Sequence, residues 1–212
     1  MLCPFITIGQ SDSLVLLTKN FKFSDGIYLS FEEFKENKPS ISWDSTFARL
    51  HTNPQNLTTL VDTIHLKTSD DQIGQIWGFS LGGIPYINQQ EKNTAGLNKY
   101  LGIKVRGNIC YFTKSETLKK SKVIKAYNPV TGIPFRESEV MTEKDIERKF
   151  MLSFNTGEVL DFTPSNFIEW IETDSQLVNT VMELPDEDRA EKLFKCLLIY
   201  DDRNPVYVPV HQ

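Results

Sequence analysis

The amino-acid sequence predicts an α+β protein: an antiparallel sheet of β-hairpins, a short capped helix near the N-terminus, and an antiparallel helix pair at the C-terminus. Three observations carry this expectation. Residues 75–88 and 100–112 are apolar, aromatic-rich runs interrupted by glycine turns, as hairpins are. Residues 26–38 hold a helix-capping signature. Residues 163–203 repeat apolar positions at helical spacing behind a Thr-Pro start.

Residues 1–9 carry no charge, and the first acid is Asp12. They read as the tail of a secretory signal peptide, with Thr7 and Gly9 at the small-residue positions before a cut and Gln10 as the mature N-terminus. A full signal has a basic start and about 7–15 apolar residues, and no Lys or Arg precedes Lys19 here. An ordinary first strand is therefore the alternative. A lipidated Cys3 is disfavoured because Leu2 is not the small residue expected before it. No other stretch approaches the roughly 20 apolar residues of a membrane span.

Gly26-Ile27-Tyr28-Leu29 is a short strand. Ser30 then caps a helix with Glu33 three residues on, Leu29 and Phe34 occupy the staple positions, and Asn37 and Pro39 end it. Residues 40–72 fit helix and strand templates alike. A strand over 60–67 is preferred because the strands downstream need a partner. Gln75–Phe79 and Ile84–Asn88 form one hairpin around Gly82-Gly83, with Pro85 marking an edge or bulge. Tyr100–Val105 and Ile109–Phe112 form a second around Arg106-Gly107-Asn108, after a polar loop over 89–98.

Residues 114–140 are basic, then rich in turns, and divide a β-rich domain (10–136) from an α-rich subdomain (137–212), unless the two are continuous. Thr142 with Asp145 suits the cap of a short helix ending near Phe150. Residues 151–162 read as a hairpin around Asn155-Thr156-Gly157. Thr163 and Pro164 open a helix with Phe167, Ile168, Ile171, Leu177, Val178 and Val181 on one face, ended by Pro185. Asp186, Glu187 and Asp188 open the last helix, whose stripe is Ala190, Leu193, Phe194, Leu197 and Leu198.

The chain has 212 residues, 40% hydrophobic and 24% charged, with 14 Phe, 7 Tyr and 3 Trp. That is ordinary globular usage with ample material for a core. Net charge is −5, but from Lys92 to Arg136 there are ten basic residues and one acid, and from Glu137 to Arg203 seventeen acids and seven bases. Either the two segments face each other, or Lys114, Lys119, Lys120, Lys122 and Lys125 form a patch for an anionic surface such as lipid headgroups or acidic glycans. Nucleic acid is disfavoured by the acidic total and the lack of a recognised binding signature. If Cys3 leaves with the leader, Cys110 and Cys196 remain, as two buried thiols or as one disulfide.

Asp25-Gly26-Ile27-Tyr28-Leu29-Ser30-Phe31-Glu32-Glu33-Phe34-Lys35, then Ile76-Trp77-Gly78-Phe79-Ser80, Tyr86-Ile87-Asn88, and Gly107 followed by Cys110-Tyr111-Phe112, resemble a group of uncharacterised exported proteins of Bacteroidetes-type bacteria. These carry GIYLSFEEF-like and IWGF…YIN segments after a signal peptide. The resemblance covers roughly residues 10–113. It implies export and brings no catalytic residues with it.

No cofactor or metal is expected. His51, His65 and His211 are scattered, and neither a phosphate loop nor a dinucleotide fingerprint occurs. Gly78-Phe79-Ser80-Leu81-Gly82 matches the letters of a hydrolase elbow, but a strand follows where the elbow needs a helix. Trp77, Phe79, Tyr86, Tyr100, Tyr111 and Phe112 are read first as core and cross-strand packing. A ligand-stacking platform is the alternative, and the binding candidates are Trp77, Tyr86, Tyr100, Tyr111, Lys119, Lys120 and Lys122. The leading functional expectation is an exported, periplasmic or cell-surface protein that binds a protein, a glycan or an anionic envelope surface without catalysis. An extracytoplasmic hydrolase-type enzyme with dispersed residues is the second reading. A cytoplasmic regulatory or immunity-type protein is the third, if Met1 is the true start.

Overall fold

The computed structural model describes residues 13–69, 73–93 and 95–211, so the leader expected over 1–9 lies outside the described residues. In chain order the elements begin β1 (Ser13–Leu16), β2 (Gly26–Tyr28), α1 (Phe31–Lys35), β3 (Thr46–Asn53), β4 (Thr58–Leu66), β5 (Gly78–Leu81), β6 (Ile84–Lys92) and β7 (Asn98–Gly102). They continue with β8 (Ile109–Tyr127), β9 (Pro134–Ser153), β10 (Val159–Asp161), α2 (Pro164–Trp170), α3 (Ser175–Met182), α4 (Arg189–Arg203) and β11 (Tyr207–Val210). The architecture is α+β, as expected. A six-stranded sheet runs β2-β5-β6-β7-β4-β3, a three-stranded one β10-β9-β8, and β1 pairs with β11. The chain forms two compact units, one reaching to Thr113 and resuming at Lys149, the other Lys114–Arg148. Residue 136 falls inside β9, so the units do not divide where the composition suggested.

In the first unit, the β5–β6 hairpin turns on Gly82 and Gly83, with φ of 62° and 77°, between the paired Leu81 and Ile84. Two successive positive φ values are what a tight right-twisted hairpin requires. Asp25 fastens the turn, accepting from Gly83 N at 2.8 Å, Gly82 N at 3.1 Å and Ser80 Oγ at 3.0 Å. The elbow-like letters around Ser80 are thus a hairpin. β6 lies inside the sheet, not at an edge. Pro85 is tolerated there as the second strand residue, where its carbonyl still accepts from Ile103 N at 2.9 Å.

Helix α1 starts as the sequence dictates. Ser30 Oγ accepts from Glu33 N at 3.3 Å, and Glu33 Oε2 reaches back to Leu29 N at 2.7 Å, one residue before the usual capping-box donor. Asn37 ends the helix in the left-handed region at φ 52°. Phe34 is fully buried, stacked on Phe23 at 4.6 Å and Trp77 at 4.8 Å and edge-on to Tyr28 and Phe154. Leu29 is 40% exposed.

Three expectations are corrected. Residues 100–105 and 109–112 are not a hairpin. β7 pairs with β4 and β6, and only an isolated Val105–Tyr111 bridge links the two runs before β8 joins β9. The helix expected from Thr142 is part of β9. Thr142 Oγ1 donates across to Lys120 O at 3.1 Å and Asp145 accepts from Thr117 Oγ1 at 2.7 Å, so both side chains bond across the ribbon. The helix expected from Thr163 to Pro185 is two helices. Asp174 starts the second, accepting from Leu177 N at 3.0 Å while Arg203 holds its other oxygen at 2.8 Å. The cap at Thr163, the 151–162 hairpin and the last helix stand as expected.

Replacing Ser30 by Ala is expected to lower stability by about 1 kcal/mol. Urea unfolding with an unchanged midpoint would show that the cap contributes nothing.

Candidate functional site

The predicted binding residues do not converge. Tyr86 (3% exposed) and Tyr100 (2%) sit in one core cluster with Ile27, Val61 and Phe79. Burial pushes the Tyr100 hydroxyl up to about 12. Tyr111 is buried in the core beneath the C-terminal helices, edge-on to Phe162 and Phe194. The core reading therefore describes these three tyrosines, because their strand faces point inward. Trp77 alone of the four aromatic candidates is half-buried and lines a cleft.

That cleft has a volume of about 370 Å³ and is bordered by Leu29, Gln75, Trp77, Asn88, Gln89 and Val159, among others. Trp77 is fixed on both backbone sides, its N–H to Tyr28 O at 3.1 Å and its carbonyl to Asn88 N at 2.9 Å. Among the described residues none of the side chains lining it is charged.

Lys119, Lys120 and Lys122 lie in the second unit, a two-stranded ribbon turning at Asn128–Ile133. Lys119 pairs with Glu143 at 3.0 Å and Lys125 with Glu137 at 2.7 Å, in the same antiparallel register as Thr117 with Asp145. Facing of the basic and acidic stretches thus accounts for part of the charge asymmetry. Side chains alternate along a strand, so Lys120, Lys122, Lys144 and Arg136 share the other face with Leu118, Ile124 and Val140. Among the described residues these four cations make no ion pair. Leu118, Ile124 and Val140 are 38%, 49% and 39% exposed. Nearer the ribbon base, Lys114 and Arg148 flank Glu116 at 2.7 and 3.9 Å.

A third constellation escaped sequence reading. Asp201 on α4 accepts from Ile109 N at 2.9 Å, with Asn108 N as a second donor, and lies where a side chain on Gly107 would have to go. Its Oδ2 is sealed from solvent with no partner. Burial pushes the carboxyl up to about 7, against the pull of those two N–H groups. Arg106 beside it donates to Phe21 O at 2.7 Å and Lys19 O at 3.1 Å. Cys110 follows, a free and fully buried thiol that burial pushes up to about 12. Cys196 is also free and buried. The one available signal was Gly107 next to a buried-looking Cys110, and it pointed to no partner nearly a hundred residues away. Among the described residues no group of three His, Cys, Asp or Glu is placed to hold a metal.

No family model, curated protein or solved structure matches this chain.

Asp201 holds its proton more tightly when folded than unfolded, where about 3.9 is usual. Its contribution to stability is therefore full below about pH 4 and is lost as pH rises through about 7, by up to about 4 kcal/mol. Asp201→Asn removes this loss, so its stability relative to wild type is expected to improve steadily between pH 4 and 8. A pH-independent difference in urea unfolding would contradict the buried, protonatable carboxyl.

Proposed function

We propose that this chain is an exported, non-enzymatic binding protein that holds to the anionic surface of the cell envelope through its ribbon, residues 114–148. The observation that supports this most is the ribbon's division into two faces. One face neutralises its lysines against glutamates, and the other presents four unpaired cations among exposed aliphatic side chains. Each cation near an anionic bilayer contributes about 1 kcal/mol, so four supply roughly 4 kcal/mol, about a thousandfold in affinity. Shallow insertion of Leu118, Ile124 and Val140 adds to this. Such binding is reversible and weakened by salt. No helix among the described residues is long and apolar enough to cross a membrane.

The side chains that suggest chemistry are engaged elsewhere, which supports recognition over reaction. Ser80 is bound to Asp25 in a turn, the Cys110 thiol is buried, and Asp201 is bonded to backbone. Export rests on the uncharged opening residues and on the resemblance noted above.

Co-sedimentation with vesicles containing phosphatidylglycerol is expected to succeed, to fail with phosphatidylcholine alone, and to fall in high salt. Lys120→Glu with Lys122→Glu and Lys144→Glu should cost at least tenfold, whereas Lys119→Glu on the paired face should cost far less. Equal loss from both faces, or equal binding to neutral vesicles, would refute the assignment. N-terminal sequencing from the native cell should give a chain starting near Gln10 in the envelope fraction. Intact Met1 in the cytosol would refute export.

A further inference from the structure

We propose that the cleft beside Trp77 binds one uncharged sugar unit of a neutral glycan. The inference is independent of the ribbon and stands in the first unit alone.

The platform is built before any ligand arrives. The Trp77 indole is stacked on Phe34 at 4.8 Å with 28° between the rings, and Phe31 lies at 5.6 Å. One face of the indole is thereby covered and the ring is braced, while its uncovered part borders the cleft. A braced aromatic loses little freedom on binding, so more of the contact energy appears as affinity. Leu29 and Val159, 40% and 42% exposed, extend the apolar border.

The polar part of the lining is made of amides. The side-chain amides of Gln75 and Gln89 make no hydrogen bond to any described residue. An amide offers a donor and an acceptor at one position, which matches a hydroxyl that is itself both. A pyranose presents an apolar C–H face for the indole and a rim of hydroxyls for the amides. An anion or cation in the same place would be desolvated without a counter-charge among the described lining side chains, none of which is charged. The volume of about 370 Å³ lies at the small end of the range for ligand sites, about 300–1,000 Å³. It suits one ring of a longer glycan, with the neighbouring units outside.

The test is an array of neutral and acidic glycans probed with the full chain, followed by titration of the isotope-labelled protein with the best binder. The Trp77 indole N–H, assigned through Trp77→Phe, is monitored against those of Trp43 and Trp170. Neutral glycans are expected to bind and to move the Trp77 signal alone. Gln75→Ala with Gln89→Ala should weaken binding at least tenfold without changing the melting midpoint. This keeps the test independent of any packing lost when Trp77 is replaced. Binding of acidic glycans only, no neutral binder on the array, an unmoved Trp77 signal, or an unweakened Gln75/Gln89 variant would each overturn the proposal.

Discussion

The first unit depends on one buried contact, the Asp201 carboxyl seated in the space left by Gly107. It anchors α4 to the backbone of Asn108 and Ile109, where the chain leaves the six-stranded sheet and enters the sheet of β8 to β10. The contact also explains why β7 and β8 do not close into a hairpin. Asn108 and Ile109 donate to a helix side chain instead of across a tight turn. A Cβ on residue 107 would overlap the Asp201 carboxylate where it now sits, so a side chain there forces it to move. Here a strongly perturbed acid, usually read as a sign of catalysis, is accounted for by architecture. Its free oxygen is sealed from solvent and its other oxygen is bonded to the main chain.

With that group assigned to the frame, what faces solvent is suited to recognition. The ribbon divides its charges by strand alternation: one face pairs its two lysines with glutamates and carries an excess of acids, the other is cationic and aliphatic. The Trp77 cleft uses a different principle, a braced ring and uncommitted amides with no net charge. A basic surface selects by charge and a neutral cleft by shape and hydrogen bonding. The two proposed binding roles thus rest on separate surfaces and separate physical grounds.

Local signals were legible in the sequence wherever a few adjacent residues decide the outcome. Ser30 with Glu33, Thr163 with Pro164, and the Gly82-Gly83 turn all act within a handful of positions, and each stands where it was read. Misreadings arose where the same residues serve two local templates and only a distant partner chooses. Thr142 and Asp145 spell a helix cap, yet Lys120 and Thr117 on the facing strand take their side chains. Asp174 reads as any polar residue in a helix, yet its carboxylate caps Leu177 N and takes Arg203 from α4, opening a new helix. The core tyrosines could be named as core or platform but not resolved, because alternation fixes which residues share a face and not which face is inward. Asp201 was out of reach altogether, its partner Gly107 being set by folding rather than by spacing.

The most direct test of this account is a double-mutant cycle between Gly107 and Asp201, measured by urea unfolding at pH 8. Gly107→Ala alone is expected to cost at least about 2 kcal/mol through overpacking. In the Asp201→Ala background the same change should cost almost nothing, since the space is then vacant. Coupling well beyond about 0.5 kcal/mol is the predicted result. Additive costs would mean that the carboxyl does not occupy the glycine's space, and the assignment of Asp201 to the frame would fall.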